Sequence, residues 1–225
     1  MKKFIMLKMF NFKSFISKKN YTQILCIVFF YIANYNHAVA KNDFLNNYKN
    51  DLKLIENFLN NIENLSSDFV QNSNGNEVAG KFYLSRNNQS SGKMRIEYLA
   101  EPKVLIVVNG SILSYHDIEL DEISRLSTNT TPASFLTRPN ISFDAKDVEI
   151  TNIKKTGNEI KVSVMKKNRK DAGEFSIIFK LDPLEFIKME VKNDLDQIIT
   201  VSLKNIDFHS KISNKLFIIK NIDNQ

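Results

Sequence analysis

Hydrophobic and polar residues alternate along most of the chain after residue 65, a pattern that predicts antiparallel β-strands with one buried face. Asn74-Gly75 and Asn109-Gly110 separate apolar runs and predict tight hairpins, because such turns need positive φ angles. The pattern gives about eleven strands. They cover Ser66–Gln71, Val78–Arg86, Lys93–Tyr98, Val104–Val108, a segment ending at Tyr115, a segment leading to Thr131, Ile160–Val164, Phe175–Leu181, Ile187–Val191, Ile199–Leu203 and Leu216–Lys220.

A single amphipathic helix is predicted ahead of this sheet, because apolar residues recur there at spacings of three and four. The combination predicts a mainly β fold, an open and incomplete antiparallel barrel wrapped around that helix. Such a sheet either fills its interior with side chains or keeps an apolar cavity, and the alternation is compatible with both. The apolar positions of the helix are Phe44, Tyr48, Leu52, Ile55, Leu59, Ile62 and Leu65.

Residues 1–40 differ from the rest of the chain and resemble a secretory signal. Six lysines and no acidic residue precede an apolar segment at 24–33, which is followed by Ala38-Val39-Ala40. The apolar segment is shorter than the roughly 20 residues that a membrane span needs. We therefore expect cleavage after Ala40 and export to the periplasm, with residues 41–225 forming one domain. The alternative is a retained N-terminal anchor.

Removal of this segment changes the charge of the protein. The chain has 31 basic and 25 acidic residues, and all six lysines of the segment leave with it, so the remaining domain is neutral. A nucleic-acid partner is therefore not expected. The only basic run, residues 166–170, reads as a solvated hairpin tip, or else as a docking site for a membrane or a protein. Without a cysteine after Cys26, the domain must be stabilised by burial alone.

The residues offer little material for catalysis or metal binding. Residues 41–225 contain His116 and His209 as their only histidines, no cysteine and no G-x-S-x-G motif, so a nucleophile–base pair is not predicted. His116 and Asp117 precede further acidic residues and could imitate a metal site, but their position at a hairpin turn favours simple solvation. We predict no enzyme activity, no cofactor and no metal.

An ordered series of short motifs resembles the LolA family of periplasmic lipoprotein carriers. The resemblance extends from about Phe44 to Leu136, and the later strands match only in their alternation. The motifs are Phe69-Val70-Gln71, Gly80-Lys81-Phe82-Tyr83-Leu84-Ser85-Arg86, Met94-Arg95-Ile96-Glu97-Tyr98 with Pro102, Leu105-Ile106-Val107-Val108-Asn109-Gly110, Tyr115-His116-Asp117, Thr131-Pro132 and Phe135-Leu136.

The resemblance implies an open antiparallel half-barrel capped by helices, with an apolar cavity for the acyl chains of lipoproteins. It implies a cycle without catalysis, in which a monomer receives acylated lipoproteins from an inner-membrane ABC transporter and delivers them to an outer-membrane acceptor, where one exists. In the family, an arginine after the glycine-containing strand hydrogen-bonds the lid and holds it closed. Arg86 stands at the matching position here.

The expected cavity residues are apolar side chains of the central strands and of the segment that follows them. Each of them could equally be ordinary core, and a register error of one residue would exchange the inward and outward sets. Alternatives to a carrier are a periplasmic domain of the same architecture that senses lipids or lipoproteins, a receptor for another apolar ligand and, last, a lipid hydrolase. The candidates are Phe82, Leu84, Met94, Ile96, Tyr98, Leu105, Val107, Phe135 and Leu136.

Overall fold

The structure is a computed structural model that describes residues 45–87, 90–101, 103–193 and 195–219. The predicted signal segment lies outside these ranges, so its cleavage stays a prediction. The chain divides into two compact units, Met1–Asn50 and Asp51–Gln225. Residues 45–50 of the first unit form helical turns, and the second unit carries the sheet. Among the described residues, none of the helices has the length and apolar character needed to cross a membrane.

Eleven antiparallel strands form one sheet, and this confirms the predicted fold class. Consecutive strands pair with each other, and the pairing of β1 with β11 joins the two halves in the order β6-β5-β4-β3-β2-β1-β11-β10-β9-β8-β7. The two ends of this order are edge strands, so the sheet is not closed into a barrel. Helix α1 is Lys49–Asn60, and the strands are β1 Asn64–Ser73, β2 Asn76–Asn87, β3 Ser90–Tyr98, β4 Val104–Asn109, β5 Ile112–Asp117, β6 Glu122–Ser127, β7 Val148–Thr156, β8 Glu159–Lys166, β9 Glu174–Leu181, β10 Leu184–Lys192 and β11 Ile198–Asp207.

One face of the sheet is mostly apolar and is called the inner face below. Helix α1 covers part of it, since the ring of Phe58 meets the inward ring of Phe179 edge-on at 5.3 Å between centroids. Asp51 of the same helix pairs with Lys155 of β7 at 2.9 Å. Pairing registers place on the inner face Leu65, Phe69, Phe82, Leu84, Met94, Val104, Ile106, Val108, Ile150, Ile153, Ile160, Val162, Val164, Phe175, Ile177, Phe179, Phe186, Met189 and Leu203.

The connection between β6 and β7, residues 128–147, is called the lid below. It contains two 3-10 helices, Thr128–Thr130 and Pro132–Phe135. Ser127 caps the first of them, because its hydroxyl accepts a hydrogen bond from the Asn129 amide. The lid joins the two edge strands of the sheet, β6 and β7.

The predicted helix is too long at its C-terminal end. Helix α1 ends at Asn60, whereas the apolar spacing continued through Ile62 to Leu65. Both residues are nonetheless buried, because the chain turns after the helix and Leu65 enters β1 facing inward. Burial therefore continued at the same spacing after the helix had ended. Phe44, the first predicted apolar position, lies outside the described residues.

One predicted strand is wrong, one strand was missed, and in a third strand the inward residue differs from the predicted one. The segment predicted as a closing strand from Leu216 forms instead a 3-10 helix, Asn214–Phe217, whose apolar residues contact the other face of the sheet. Strand β7 was missed because a bulge between Ile150 and Asn152 interrupts its alternation. A second bulge, between Phe186 and Lys188 of β10, turns Phe186 inward in place of the predicted Ile187.

Candidate functional site

The predicted cavity residues of β2 and β3 share the inner face. Phe82 pairs with Ile96, and Leu84 pairs with Met94, so these four side chains form two adjacent cross-strand pairs. Phe82, Leu84 and Met94 are buried, whereas Ile96 is half-buried. Tyr98, opposite Gly80, continues the row. The structure therefore brings five of the predicted residues together on one apolar surface.

Leu105 and Val107 point to the opposite face. Ile106 is the partner of inward-facing Ile96, so the residues on either side of it must face outward. There Leu105 and Val107 form a buried cluster with Phe217. The inward-facing residues of this strand are Val104, Ile106 and Val108, which the sequence prediction had left out. Every residue from 104 to 108 is apolar, so the sequence does not show which of these side chains face inward. Only the pairing with β3 shows it.

The outward cluster gives a prediction that separates stability from ligand binding. Phe217 is 1% exposed, so Phe217→Ala should lower the free energy of unfolding by about 3–5 kcal/mol. Binding of an acyl ligand to the inner face should not change, because Phe217 lies on the other side of the sheet. Thermal melting and ligand titration on the same samples check this, with the exposed neighbour Ile218→Ala as the control. Loss of acyl binding in folded Phe217→Ala protein would contradict this assignment of the faces.

The inner face is incompletely covered toward the β6 edge. Ile106 of β4 pairs with Tyr115 of β5, and Leu113 of β5 pairs with Leu126 of β6. Tyr115 is 38% exposed and Leu126 is 53% exposed, although both lie on the same face as the buried Phe82. Large apolar side chains are thus accessible from solvent at this edge, and they continue the buried apolar surface outward.

Tyr98 is held in place by one contact at its hydroxyl and one at its ring. Its hydroxyl donates a hydrogen bond to Gln71 Oε1 at 2.7 Å, and burial raises the pKa of the phenol, so it stays protonated. Phe69 meets the ring edge-on at 5.5 Å. Gly80 makes room for this arrangement, since a Cβ at that position would lie 2.3 Å from the Phe69 ring. The row of predicted cavity residues therefore ends in a fixed aromatic pair.

The lid turns its apolar side chains inward. Phe135 and Leu136, both predicted cavity residues, are 4% and 1% exposed. The ring of Phe135 stacks on Phe143 of the lid at 5.7 Å and contacts the inward ring of Phe175 at 6.2 Å. Ile141 of the lid is also buried. The lid's apolar residues therefore pack against the inner face at Phe175 of β9.

Arg86, at the end of β2, connects the sheet to the lid and to the helix. It is 6% exposed. Its Nη2 donates to the Arg138 carbonyl of the lid at 2.8 Å and lies 3.4 Å from the Pro139 carbonyl. Its Nη1 donates to the Leu59 carbonyl at the end of α1. Burial lowers the pKa of the Arg86 guanidinium, which stays charged because arginine titrates far above neutral pH.

Two further side chains of helix α1 bind the main chain of the lid, and the sequence prediction missed both. Asn60 donates from Nδ2 to the Ile141 carbonyl and accepts at Oδ1 from the Ile141 amide, each at 2.8 Å. Glu56, only 8% exposed, accepts from the Phe143 amide at 2.7 Å. The sequence shows only that polar residues stand on the otherwise apolar side of the helix. Such a pattern cannot identify hydrogen-bond partners that are 81 or 87 residues away in the chain.

Gly92 of β3 lets the lid lie close to the sheet. Its amide donates to the Thr137 carbonyl of the lid at 2.7 Å. A Cβ on Gly92 would lie 2.9 Å from Cγ of Arg86 and 3.3 Å from Cα of Thr137. Any side chain here would therefore push the lid and Arg86 outward.

An ion pair joins the middle of the lid to its end. Arg138 donates from Nη1 and Nη2 to the two carboxylate oxygens of Asp147, at 3.1 and 2.6 Å. These hydrogen bonds lower the pKa of Asp147 below the usual 3.8. A carboxylate with a lowered pKa stabilises the fold above its usual pKa, and the contribution disappears as pH falls through the lowered value.

We therefore predict a small stability loss for Asp147→Asn that depends on pH. The Asp147 side chain is 56% exposed, and exposed pairs contribute about 0.2–1 kcal/mol. The difference in melting temperature between wild type and variant should persist at neutral pH and vanish below pH 3.8. Melting curves across this range check the prediction, and a difference that does not change with pH would contradict it.

The two histidines among the described residues each lie near one aspartate. Nε2 of His116 lies 3.1 Å from Asp121 Oδ1 at the β5–β6 hairpin, and Asp117 accepts from the Glu119 amide. His209 is almost fully exposed. Within the described part of the chain, no three His, Cys, Asp or Glu side chains are grouped as a metal site would require.

Comparison with known proteins matches residues 60–220 to the family model described as outer membrane lipoprotein carrier protein LolA. An uncharacterised protein of Rickettsia prowazekii (strain Madrid E) is 25% identical over 171 residues, 76% of each chain. Solved structures with a similar course of the chain include a DUF1329 family protein from Desulfovibrio piger, with 11% identity, a TM-score of 0.48 and coverage of 75% of this chain and 95% of the other. A LolA superfamily protein from Nitrosomonas europaea has 10% identity, a TM-score of 0.41 and coverage of 75% and 97%. Since the family model matches well over half of the residues of this chain, the chain belongs to the LolA family of outer membrane lipoprotein carrier proteins.

Proposed function

We propose that this protein carries acylated lipoproteins through the periplasm, from an inner-membrane ABC transporter to an outer-membrane acceptor where one exists. The acyl chains would lie on the inner face, against Phe82, Leu84, Met94, Ile96 and Tyr98, once the lid has moved away. Membership of a carrier family rather than an enzyme family supports this proposal. Export through the N-terminal segment is part of it.

The single observation that carries the proposal is the apolar inner face covered by a lid of apolar residues. The lid residues Phe135, Leu136, Ile141 and Phe143 are each at most 4% exposed, and Phe135 packs on Phe175 of the inner face. Burying hydrocarbon from water gains about 0.8 kcal/mol per CH₂. A ligand with one or two acyl chains can therefore displace the lid, while the lid in turn competes with the ligand and favours its release.

The fastening of the lid is suited to reversal. Arg86 holds the lid through main-chain carbonyls, but its buried Nε has no hydrogen-bond partner among the described residues. A buried donor without a hydrogen bond costs free energy, so the closed form is less stable than it would be if this Nε were bonded. Two polar residues of the inner face, Gln71 and Ser67 of β1, take part in none of the lid contacts described above.

Release of a lipoprotein from membranes tests the proposal. The purified protein would be mixed with vesicles that contain the energised transporter and either an acylated lipoprotein or the same protein without its acyl anchor. A soluble complex with the acylated form alone is the expected result. No complex with either form would refute the carrier function. A stable complex with a membrane-anchored regulator, without transfer, would favour the sensing alternative.

A further inference from the structure

We infer that Asn60 and Glu56, after the lid has moved, bind the main-chain amides of the lipoprotein next to its acylated residue. The inference rests on the proposed carrier function and deepens it. It assigns a polar subsite to an otherwise apolar cavity, and it names the ligand group as a peptide main chain rather than a lipid.

In the closed form, the lid partners of Asn60 and Glu56 are all main-chain atoms. Asn60 uses both ends of its amide on one residue, Ile141, and both partners are main-chain atoms at 2.8 Å. Glu56 accepts from the main-chain amide of Phe143 at 2.7 Å. Together they bind the N–H and C=O of Ile141 and the N–H of Phe143, two residues later. Any peptide could present the same three groups, whatever its side chains.

The subsite formed by Asn60 and Glu56 is preorganised. Asn60 and Glu56 are four positions apart on α1, so they lie one helical turn apart on the same side. Nη2 of Arg86 lies 3.3 Å from Asn60 Oδ1, and Lys53 Nζ lies 3.5 Å from Glu56 Oε2. The Lys53 contact does not involve the lid, and Arg86, although its Nη2 also binds the lid, is held on the helix by the Leu59 carbonyl. The orientation of the amide and the position of the carboxylate are therefore supported from within the helix and the sheet.

Movement of the lid leaves main-chain hydrogen bonds unmade. When Ile141 and Phe143 leave, Asn60 and Glu56 lose these main-chain partners beside an apolar surface, where polar groups with missing hydrogen bonds are unfavourable. Hydrocarbon chains cannot replace the lost hydrogen bonds, whereas the amides of an acylated polypeptide can. The cavity should therefore favour a lipid attached to a peptide over the same lipid alone.

A comparison of two ligands tests the inference. One is a synthetic lipopeptide with a diacylglyceryl cysteine, and the other is the same diacylglyceryl thioether without any peptide amide. The wild-type protein should bind the lipopeptide about tenfold more tightly, as expected for one or two hydrogen bonds. Asn60→Leu should bring the ratio of the two dissociation constants most of the way to one, because only the Glu56 acceptor is then left. Glu56→Gln, which keeps an acceptor oxygen, should reduce the ratio less.

The ratio separates amide recognition from a loosened lid, because easier lid opening strengthens the binding of both ligands equally. Asn57→Leu is the matched control, since Asn57 is an exposed asparagine of the same helix, and it should leave the ratio unchanged. Equal binding of both ligands by the wild type, or an unchanged ratio in folded Asn60→Leu protein, would overturn the inference while the carrier function stands. If the wild type binds neither ligand, the carrier function itself fails, and the inference fails with it.

Discussion

Arg86→Leu should open the lid and impair delivery of a bound lipoprotein. The substitution removes the charged donor to the carbonyls of Leu59 and Arg138, and hydrogen bonds to charged groups contribute about 1.5–3 kcal/mol each. The bond to the Arg138 carbonyl crosses to the lid, and its loss alone raises the open population about 10- to 100-fold. The amides of Gly92, Ile141 and Phe143 bond across the lid boundary, so their hydrogen exchange measures the effect directly.

Loading and delivery should change in opposite directions in this variant. An opened lid competes less with the acyl chains, so the variant should take up lipoprotein readily and transfer it slowly. Gly92→Val should open the lid by crowding Thr137 and Arg86 while the arginine is still present. Arg169→Leu, which removes only an exposed pair with Asp171, is the control for loss of an arginine. Wild-type exchange and transfer rates in Arg86→Leu would rule out a latch at this position.

Ile96→Glu should abolish acyl binding while the fold survives. Ile96 is half-buried on the inner face, between Phe82 and Ile106, so a carboxylate there can reach water when the site is empty. With an acyl chain bound, the same carboxylate would be desolvated against hydrocarbon, which we expect to weaken binding at least about 100-fold, or roughly 3 kcal/mol. Titration with a fluorescent fatty acid measures the loss, and circular dichroism monitors the fold.

The matched control for this change is Ile112→Glu. Ile112 is also a strand isoleucine, but it lies on the outer face and is 49% exposed. The Ile112→Glu variant should bind the fluorescent fatty acid as tightly as the wild type does. Normal binding by Ile96→Glu would show that the acyl chains do not contact β3, and it would move the proposed site toward the inward residues of β8 and β9.

The sheet was predictable from sequence wherever one face is apolar and the other polar. Ile199–Leu203 alternates strictly and Phe175–Leu181 alternates except at Ile178, and both lie within strands close to the predicted bounds. Prediction failed where geometry departs from the repeat. A single extra residue near Asn152 hid β7. The apolar spacing through Leu65 lengthened the predicted helix, because a residue is buried equally well at the end of a helix and at the start of a strand.

The candidate site was predictable in composition but not in arrangement. The row from Phe82 to Tyr98 could be named because charged or polar residues mark its other face. Leu105 and Val107 could not be assigned to a face, because every residue from 104 to 108 is apolar. Arg86 was named through the family resemblance, whereas Asn60 and Glu56 bind main-chain atoms that any sequence at residues 141–143 would offer, proline apart. Contacts of this kind leave no pattern in the partner's sequence.

The lid is also the only covalent link between the edge strands β6 and β7, since these strands do not pair with each other. Its length therefore limits how far the two edges can separate. Insertions or deletions within residues 128–147 could alter the bulk of the cargo that is admitted without changing any strand of the sheet. Evolution, or a protein engineer, could thus retune cargo size through one surface connection, because loops tolerate length changes that strands do not.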